Sequence, residues 1–232
     1  MIIGVFDSGV GGTTVLAEIK KLLPEEEYVY FADSEHCPYG EKSPAELKEI
    51  VSGATEYLLA RGAKVIVVAC NTATTQTIGY LREKYPFCPF VGTEPAVKKA
   101  CDEAPAGADG RCRLVLLATE GTANSERTHR LIAENLREGQ ELTVVPCPGL
   151  AKAIEKQAEG EVEKILAQVK QVVEQRWKCE EVNGVVLGCT HYPLIRDKIQ
   201  ALFPQARLFD GGEGVAREVR RVVRRLEAEA KP

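Results

Sequence analysis

Short apolar runs rich in β-branched residues alternate along the chain with longer stretches whose apolar positions recur every three or four residues. The runs IIGVF, YVYFA, KVIVVA, PFVGT, RLVLLA, LTVVP, GVVLG and RLFD predict strands. Between them, TTVLAEIKKLL, PAELKEIVSGATEYLLARG and EVEKILAQVKQVVEQRW carry the period of amphipathic helices. Strands alternating with helices define βα units and parallel sheets, so the predicted class is α/β. The segment 104–113, APAGADGRCR, is rich in Gly, Ala and Pro and is the expected linker between the fourth and fifth strands.

The strand ends repeat a pattern. They fall near Asp7, Asp33, Cys70 and Thr93, and again near Thr119, Cys147, Cys189 and Asp210. In each set the third end presents a cysteine followed by polar residues, which predicts an internal duplication relating Cys70 to Cys189 by a pseudo-twofold axis. Open α/β sheets bind ligands beyond the carboxyl ends of their strands. Two pseudo-symmetric parallel-sheet domains facing each other would then place one thiol on each side of an active site in the cleft between them.

Composition narrows the class further. The 232 residues are 44% hydrophobic and 28% charged, the balance of a globular protein, and suffice for a sizeable core. A net charge of −4 with scattered Lys and Arg argues against a nucleic-acid partner. The Arg-rich run Arg217 to Arg225 is interleaved with Val215, Val219, Val222, Val223 and Leu226, which predicts an amphipathic helix. No apolar run approaches the ~20 residues of a membrane span, and MIIGVFDSG lacks the features of a secretory leader, so the expected setting is cytoplasmic. The eight cysteines contain no C-x-x-C pair, and no metal site or disulfide framework is expected. Cys88, Cys101, Cys112 and Cys179 read as packing residues in turns or on helix faces.

Two acid/base groups on opposite faces are what inversion of a stereocentre by proton transfer requires. Thiols can serve if one is a thiolate and the other a thiol. An unperturbed cysteine is only roughly 3% thiolate at pH 7, so the site must favour the anion. Asn71 and Thr72 follow Cys70, and Thr190 and His191 follow Cys189, each leading into a helix-compatible stretch whose first N–H groups favour an anion. Asp7 opens the turn Asp7-Ser8-Gly9-Val10-Gly11-Gly12, where glycines admit a ligand close to the backbone and the carboxylate can relay a proton. Plainer roles compete: Asp7 as a helix N-cap, His191 as the cap of the following helix, or Cys70, Cys189 and His191 as a zinc site. No G-x-G-x-x-G or P-loop lysine follows the first strand, so no nucleotide cofactor is expected.

The motifs FDSGVGG (6–12), FADSEHCPYGEKS (31–43), ACNTAT (69–74), GTEPA (92–96), LATEGTANS (117–125), CPGLAKAIE (147–155) and GCTHYP (188–193) resemble, in order, those of the glutamate racemases of the aspartate/glutamate racemase superfamily. The resemblance implies cofactor-independent interconversion of L- and D-glutamate for peptidoglycan synthesis, in a homodimer, with domains at 1–97 plus 211–232 and at 98–210. It makes Cys70 the base facing D-glutamate, assisted by Asp7. Cys189 becomes the base facing L-glutamate, assisted by His191, with Glu155 a further partner. Ser8, Pro38, Tyr39, Gly40, Asn71, Thr72, Thr119, Thr122 and Thr190 fall on substrate-binding positions. Departures from the family pattern stand at Thr13, Glu35 to Cys37, Thr128 and Gly211. A racemase for another amino acid such as aspartate, or a thiol redox module joining Cys70 to Cys189, are the alternatives.

Overall fold

The computed structural model describes residues 1–230. The chain divides into two compact units, Met1–Thr93 together with the segment from Gly211 onward, and Glu94–Asp210.

The first unit contains β1 (Ile2–Asp7), α1 (Gly12–Leu22), β2 (Glu27–Ala32), α2 (Pro44–Ala60), β3 (Val65–Val68), α3 (Asn71–Lys84) and β4 (Phe90–Gly92). Its sheet is parallel with order β2-β1-β3-β4. Side chains alternate across each strand, so Ile3, Val5, Val65, Val67 and Val91 form one apolar face and Phe6, Ile66, Val68 and Phe90 the other. The second face is covered by α2 and α3 through Leu47, Val51, Leu58, Ile78 and Leu81.

The second unit contains α4 (Val97–Glu103), β5 (Cys112–Ala118), α5 (Glu120–Ala123), α6 (Glu126–Asn135), β6 (Gln140–Pro146), α7 (Leu150–Glu155), α8 (Glu159–Glu174), β7 (Gly184–Gly188), α9 (Arg196–Leu202) and β8 (Arg207–Phe209). Its parallel sheet has order β6-β5-β7-β8, the order of the first sheet shifted by one set of strands. Val115, Leu117, Val185 and Leu187 pack on Leu150, Ile154, Val162, Leu166 and Ile199 from α7, α8 and α9. Leu114, Leu116, Val186 and Phe209 pack on Val97, Ala100 and Ala123 on the opposite face.

The final helix, α10 (Gly212–Glu229), belongs to the first unit. Val215, Val219, Val222 and Val223 lie with Val15, Leu16 and Ile19 of α1 against the first sheet. The arginines take the outer side, where Arg217 pairs with Glu213 and Arg221 with Glu218. The Arg-rich run is therefore the polar face of a packed helix.

Two expectations need correction. Segment 104–113 connects α4 to β5 inside the second unit, and the chain passes between units at Thr93–Glu94 instead. Val97, Ala100 and Cys101 explain this: α4 buries them on the second sheet, which puts everything from Glu94 on that side. Cys112, expected in a turn or on a helix face, opens β5.

Gly188, the last residue of β7, is forced by packing. A Cβ there would lie 2.7 Å from the Leu117 carbonyl oxygen and 2.8 Å from Leu116 Cδ1. Backbone in a sheet cannot withdraw from such a contact, so Gly188→Ala should destabilise the protein by about 2 kcal/mol. The denaturant midpoint checks it, and an unchanged midpoint would show that the strand accommodates the methyl group.

Candidate active site

In the first unit, the connection after β1 runs to α1 on one face of the sheet and that after β3 to α3 on the other. The neighbouring ends of β1 and β3 therefore form a topological switch point, where open α/β sheets leave a crevice. Asp7 ends β1, and Cys70 lies just beyond β3 as the residue preceding α3. Cys70 is 6% exposed and Asp7 fully buried. Cys70 has extended backbone and directly precedes the first turn of a 14-residue helix, whose N-terminus favours an anion.

Asp7 Oδ2 accepts the backbone N–H of Gly12, the first residue of α1, at 2.7 Å. The helix-start role weighed for Asp7 is thus present, and it leaves a buried carboxylate at the switch point. Gly12 permits this closeness, since a Cβ there would lie 2.6 Å from Asp7 Cβ and 2.8 Å from Tyr30 Oη. Ser8, Asn71 and Thr72 are buried alongside, and the Asn71 Oδ1 has no hydrogen-bond partner among the described residues. Buried acceptors are rarely left so without reason, and a bound group with N–H donors would satisfy it. Pro38 and Tyr39 are buried in the loop after β2, with Gly40 beside them. Burial, then the hydrogen bond to Asp33, hold the Tyr39 hydroxyl well above the ordinary tyrosine range, with Cys70 and Asp7 adding smaller contributions. Tyr39 is therefore a neutral hydroxyl at the same strand ends.

The second unit repeats the arrangement. The connection after β5 goes to one face and that after β7 to the other, so Thr119 and Cys189 mark a matching switch point. Cys189 Sγ lies 3.8 Å from His191 Nδ1, and His191 Nε2 lies 2.7 Å from Glu155 Oε2. His191 is 1% exposed and precedes a short 3-10 turn, Tyr192–Ile195, without capping it through its side chain. The capping role is excluded, and the imidazole instead links a thiol to the carboxylate that ends α7. Such a chain orients the ring and supports transfer of a proton between sulfur and imidazole. Thr119 Oγ1 donates to Thr122 Oγ1 at 3.1 Å and accepts from the Thr122 N–H at 3.3 Å, which orders the start of α5. Thr190 is buried next to Cys189.

Glu155 is 36 residues from His191, and no local spacing announces their pairing. Asp33 was legible only as a strand end, and its bonds to Tyr39 and His36 were not foreseen. Among the departures, Thr13 donates to the Val10 carbonyl and Ser125 donates to a buried Thr128, so both serve helix starts.

Five further cysteines are set by burial. Burial pushes the Cys147 thiol up to about 12 and the Cys88 thiol up to about 11, and raises those of Cys101, Cys112 and Cys179. A raised value means the thiolate is scarce at neutral pH. Iodoacetamide at pH 8 should thus leave Cys88 and Cys147 unlabelled in the folded protein, as read by peptide mass mapping. Rapid labelling of either would contradict its burial. Cys88→Ala, Cys101→Ala and Cys179→Ala should leave turnover close to that of the parent.

The sequence profile of the Asp/Glu/Hydantoin racemase family matches residues 3–219, and this chain belongs to that family. A glutamate racemase of Clostridium perfringens is 39% identical over 99% of this chain and 86% of its own length. Another, from Ectopseudomonas mendocina, is 42% identical over 95% of this chain and 81% of its own. The crystal structure of Escherichia coli glutamate racemase in complex with L-glutamate and the activator UDP-MurNAc-Ala is similar at a TM-score of 0.80 and 38% identity, over 94% of this chain and 80% of that one. No helix among the described residues is long and apolar enough to cross a membrane.

Proposed function

We propose that this chain interconverts L- and D-glutamate by proton transfer at the α-carbon, with Cys70 and Cys189 acting on opposite faces of that carbon. The observation that carries the reading is the matched placement of the two thiols, each just beyond the third strand of a sheet with the same strand order. The relatives, glutamate racemases at about two-fifths identity, supply the substrate.

In one direction the Cys189 thiolate removes the α-proton of L-glutamate, and the Cys70 thiol delivers its own to the opposite face. Each transfer leaves the sulfurs in the reverse protonation states, and the D-to-L direction runs from there. His191, held by Glu155, accepts or returns the proton of Cys189, and Asp7 serves Cys70 in the same way. The N–H groups at the start of α3 and the hydroxyls of Ser8, Thr72, Thr119, Thr122 and Thr190 would bind the two carboxylates, and Asn71 Oδ1 would take the ammonium group. No cofactor is assigned a step. The D-glutamate formed would supply peptidoglycan, in the cytoplasm, from a homodimer.

Incubation of the purified protein with L-glutamate in D₂O, with no added cofactor, should yield D-glutamate carrying one deuterium at Cα, read by chiral chromatography and mass. Absence of both inversion and exchange would refute the reading. Faster inversion of aspartate would move the assignment to another member of the family, and loss of activity on chelation with recovery on zinc would replace the thiol mechanism.

A further inference from the structure

The loop between β2 and α2, within the segment FADSEHCPYGEKS, contains a hydrogen-bonded relay of three side chains. Asp33 directly follows β2, and its N–H donates to the Asp7 carbonyl at 2.9 Å, which ties the start of the loop to the end of β1. Its carboxylate is largely buried, with 6% of the residue exposed. Two donors converge on it. The Tyr39 hydroxyl donates to Oδ2 at 2.7 Å, and His36 Nδ1 lies 2.8 Å from Oδ1 and 2.9 Å from Oδ2. An ionised carboxylate only accepts, so Nδ1 carries the proton whether the ring is neutral or charged.

Nothing in loop closure alone calls for this arrangement. A surface loop can be fixed without burying a carboxylate, which is costly unless its oxygens are hydrogen-bonded. Here the buried carboxylate holds a tyrosine that is 1% exposed, and the electrostatic neighbours of that tyrosine beyond Asp33 are Cys70 and Asp7. His36 forms the outer end of the relay, with its side chain 43% exposed. It stands within Glu35 to Cys37, where the sequence departs from the family pattern.

We infer that His36 is a positioning residue for substrate binding: by clamping Asp33 it fixes the Tyr39 hydroxyl and the Pro38-Tyr39-Gly40 backbone beside Cys70. The inference rests on the glutamate reading proposed above. Cys70, Asp7 and α3 stand on other elements of the unit, so loosening the loop weakens binding of glutamate while leaving proton transfer in the bound state largely intact.

The test compares His36→Leu, which deletes the donor, with His36→Asn, whose side-chain N–H₂ can take the place of the Nδ1–H. KM and kcat are measured in both directions, together with the D-glutamate concentration that half-protects Cys70 from iodoacetamide. Loss of a charge-assisted hydrogen bond in His36→Leu should raise KM and the half-protecting concentration about tenfold with kcat within about twofold, and His36→Asn should stay within about threefold of the parent. A His36→Leu protein with parental KM and protection overturns the inference, as does a His36→Asn protein as impaired as His36→Leu, or a loss confined to kcat. Parent protein that glutamate does not protect at all overturns the glutamate reading and this inference with it. Equal protection of parent and His36→Leu overturns this inference alone.

Discussion

Replacement of either Cys70 or Cys189 by alanine should lower glutamate racemisation by about 10³-fold or more, since a positioned acid or base contributes 10² to 10⁴ and the proposed mechanism uses both sulfurs in each direction. The double variant should be scarcely slower than the single ones, because residues that act as a unit are non-additive. Both thiols are buried at strand ends, and alanine removes only the sulfur, so the fold should persist, as circular dichroism would verify. Turnover is read with enzyme purified free of host racemase. A single variant with near-parental turnover would remove that cysteine from the mechanism. The same pairing requires one thiolate and one thiol at once, so the rate should be bell-shaped in pH, with two apparent pKa values that belong to the coupled system.

The second large effect concerns the groups behind the thiols. Asp7→Asn and His191→Asn should each reduce turnover by about 10²-fold, the lower end of what general acid/base partners contribute. Asn at position 7 keeps an oxygen to accept the Gly12 N–H, so the change removes the negative charge while preserving the start of α1. At position 191 the shorter side chain cannot join Cys189 to Glu155. The reaction equilibrium is not the enzyme's to change, so kcat/KM must fall equally in both directions for any variant. Asymmetry must appear in the α-deuterium isotope effects. Asp7→Asn should enlarge the effect on D-glutamate, where the proposed mechanism has Cys70 abstract, and His191→Asn the effect on L-glutamate. Equal effects in both directions for both variants would show that these side chains only shape the pocket.

Much of this was legible before any coordinates. The apolar runs marked the strands, most plainly the central β1, β3, β5 and β7, because residues buried on both faces of a parallel sheet leave no polar alternation to confuse. Cys70, Asp7, Cys189 and His191 could be read from the sequence because each stands at or just beyond a strand end, where chain direction alone dictates placement. Segment 104–113 was expected as the linker because Gly and Pro content marks a loop without saying which sheet receives the flanking helix. That was decided by Val97 and Ala100 packing on Leu114 and Leu116. The Glu155 to His191 bond depends on where α7 lies against the second sheet, and the position of Glu155 came only through family resemblance. The Asp33 relay depends on how a loop folds back on itself, which no periodicity encodes.

The return of α10 to the first unit has a consequence for biogenesis. During translation β1, β3 and β4 emerge early, yet the helix that completes the cover over Ile3, Val5, Val67 and Val91 is made only after the whole of Glu94–Asp210. The nascent first unit therefore carries an apolar sheet face that lacks its α10 cover until the second unit, contiguous in the chain, has been made. Exposed apolar surface of that kind is what aggregation and chaperones act on. The order of synthesis thus leaves the N-terminal half of this protein waiting on its last-made helix.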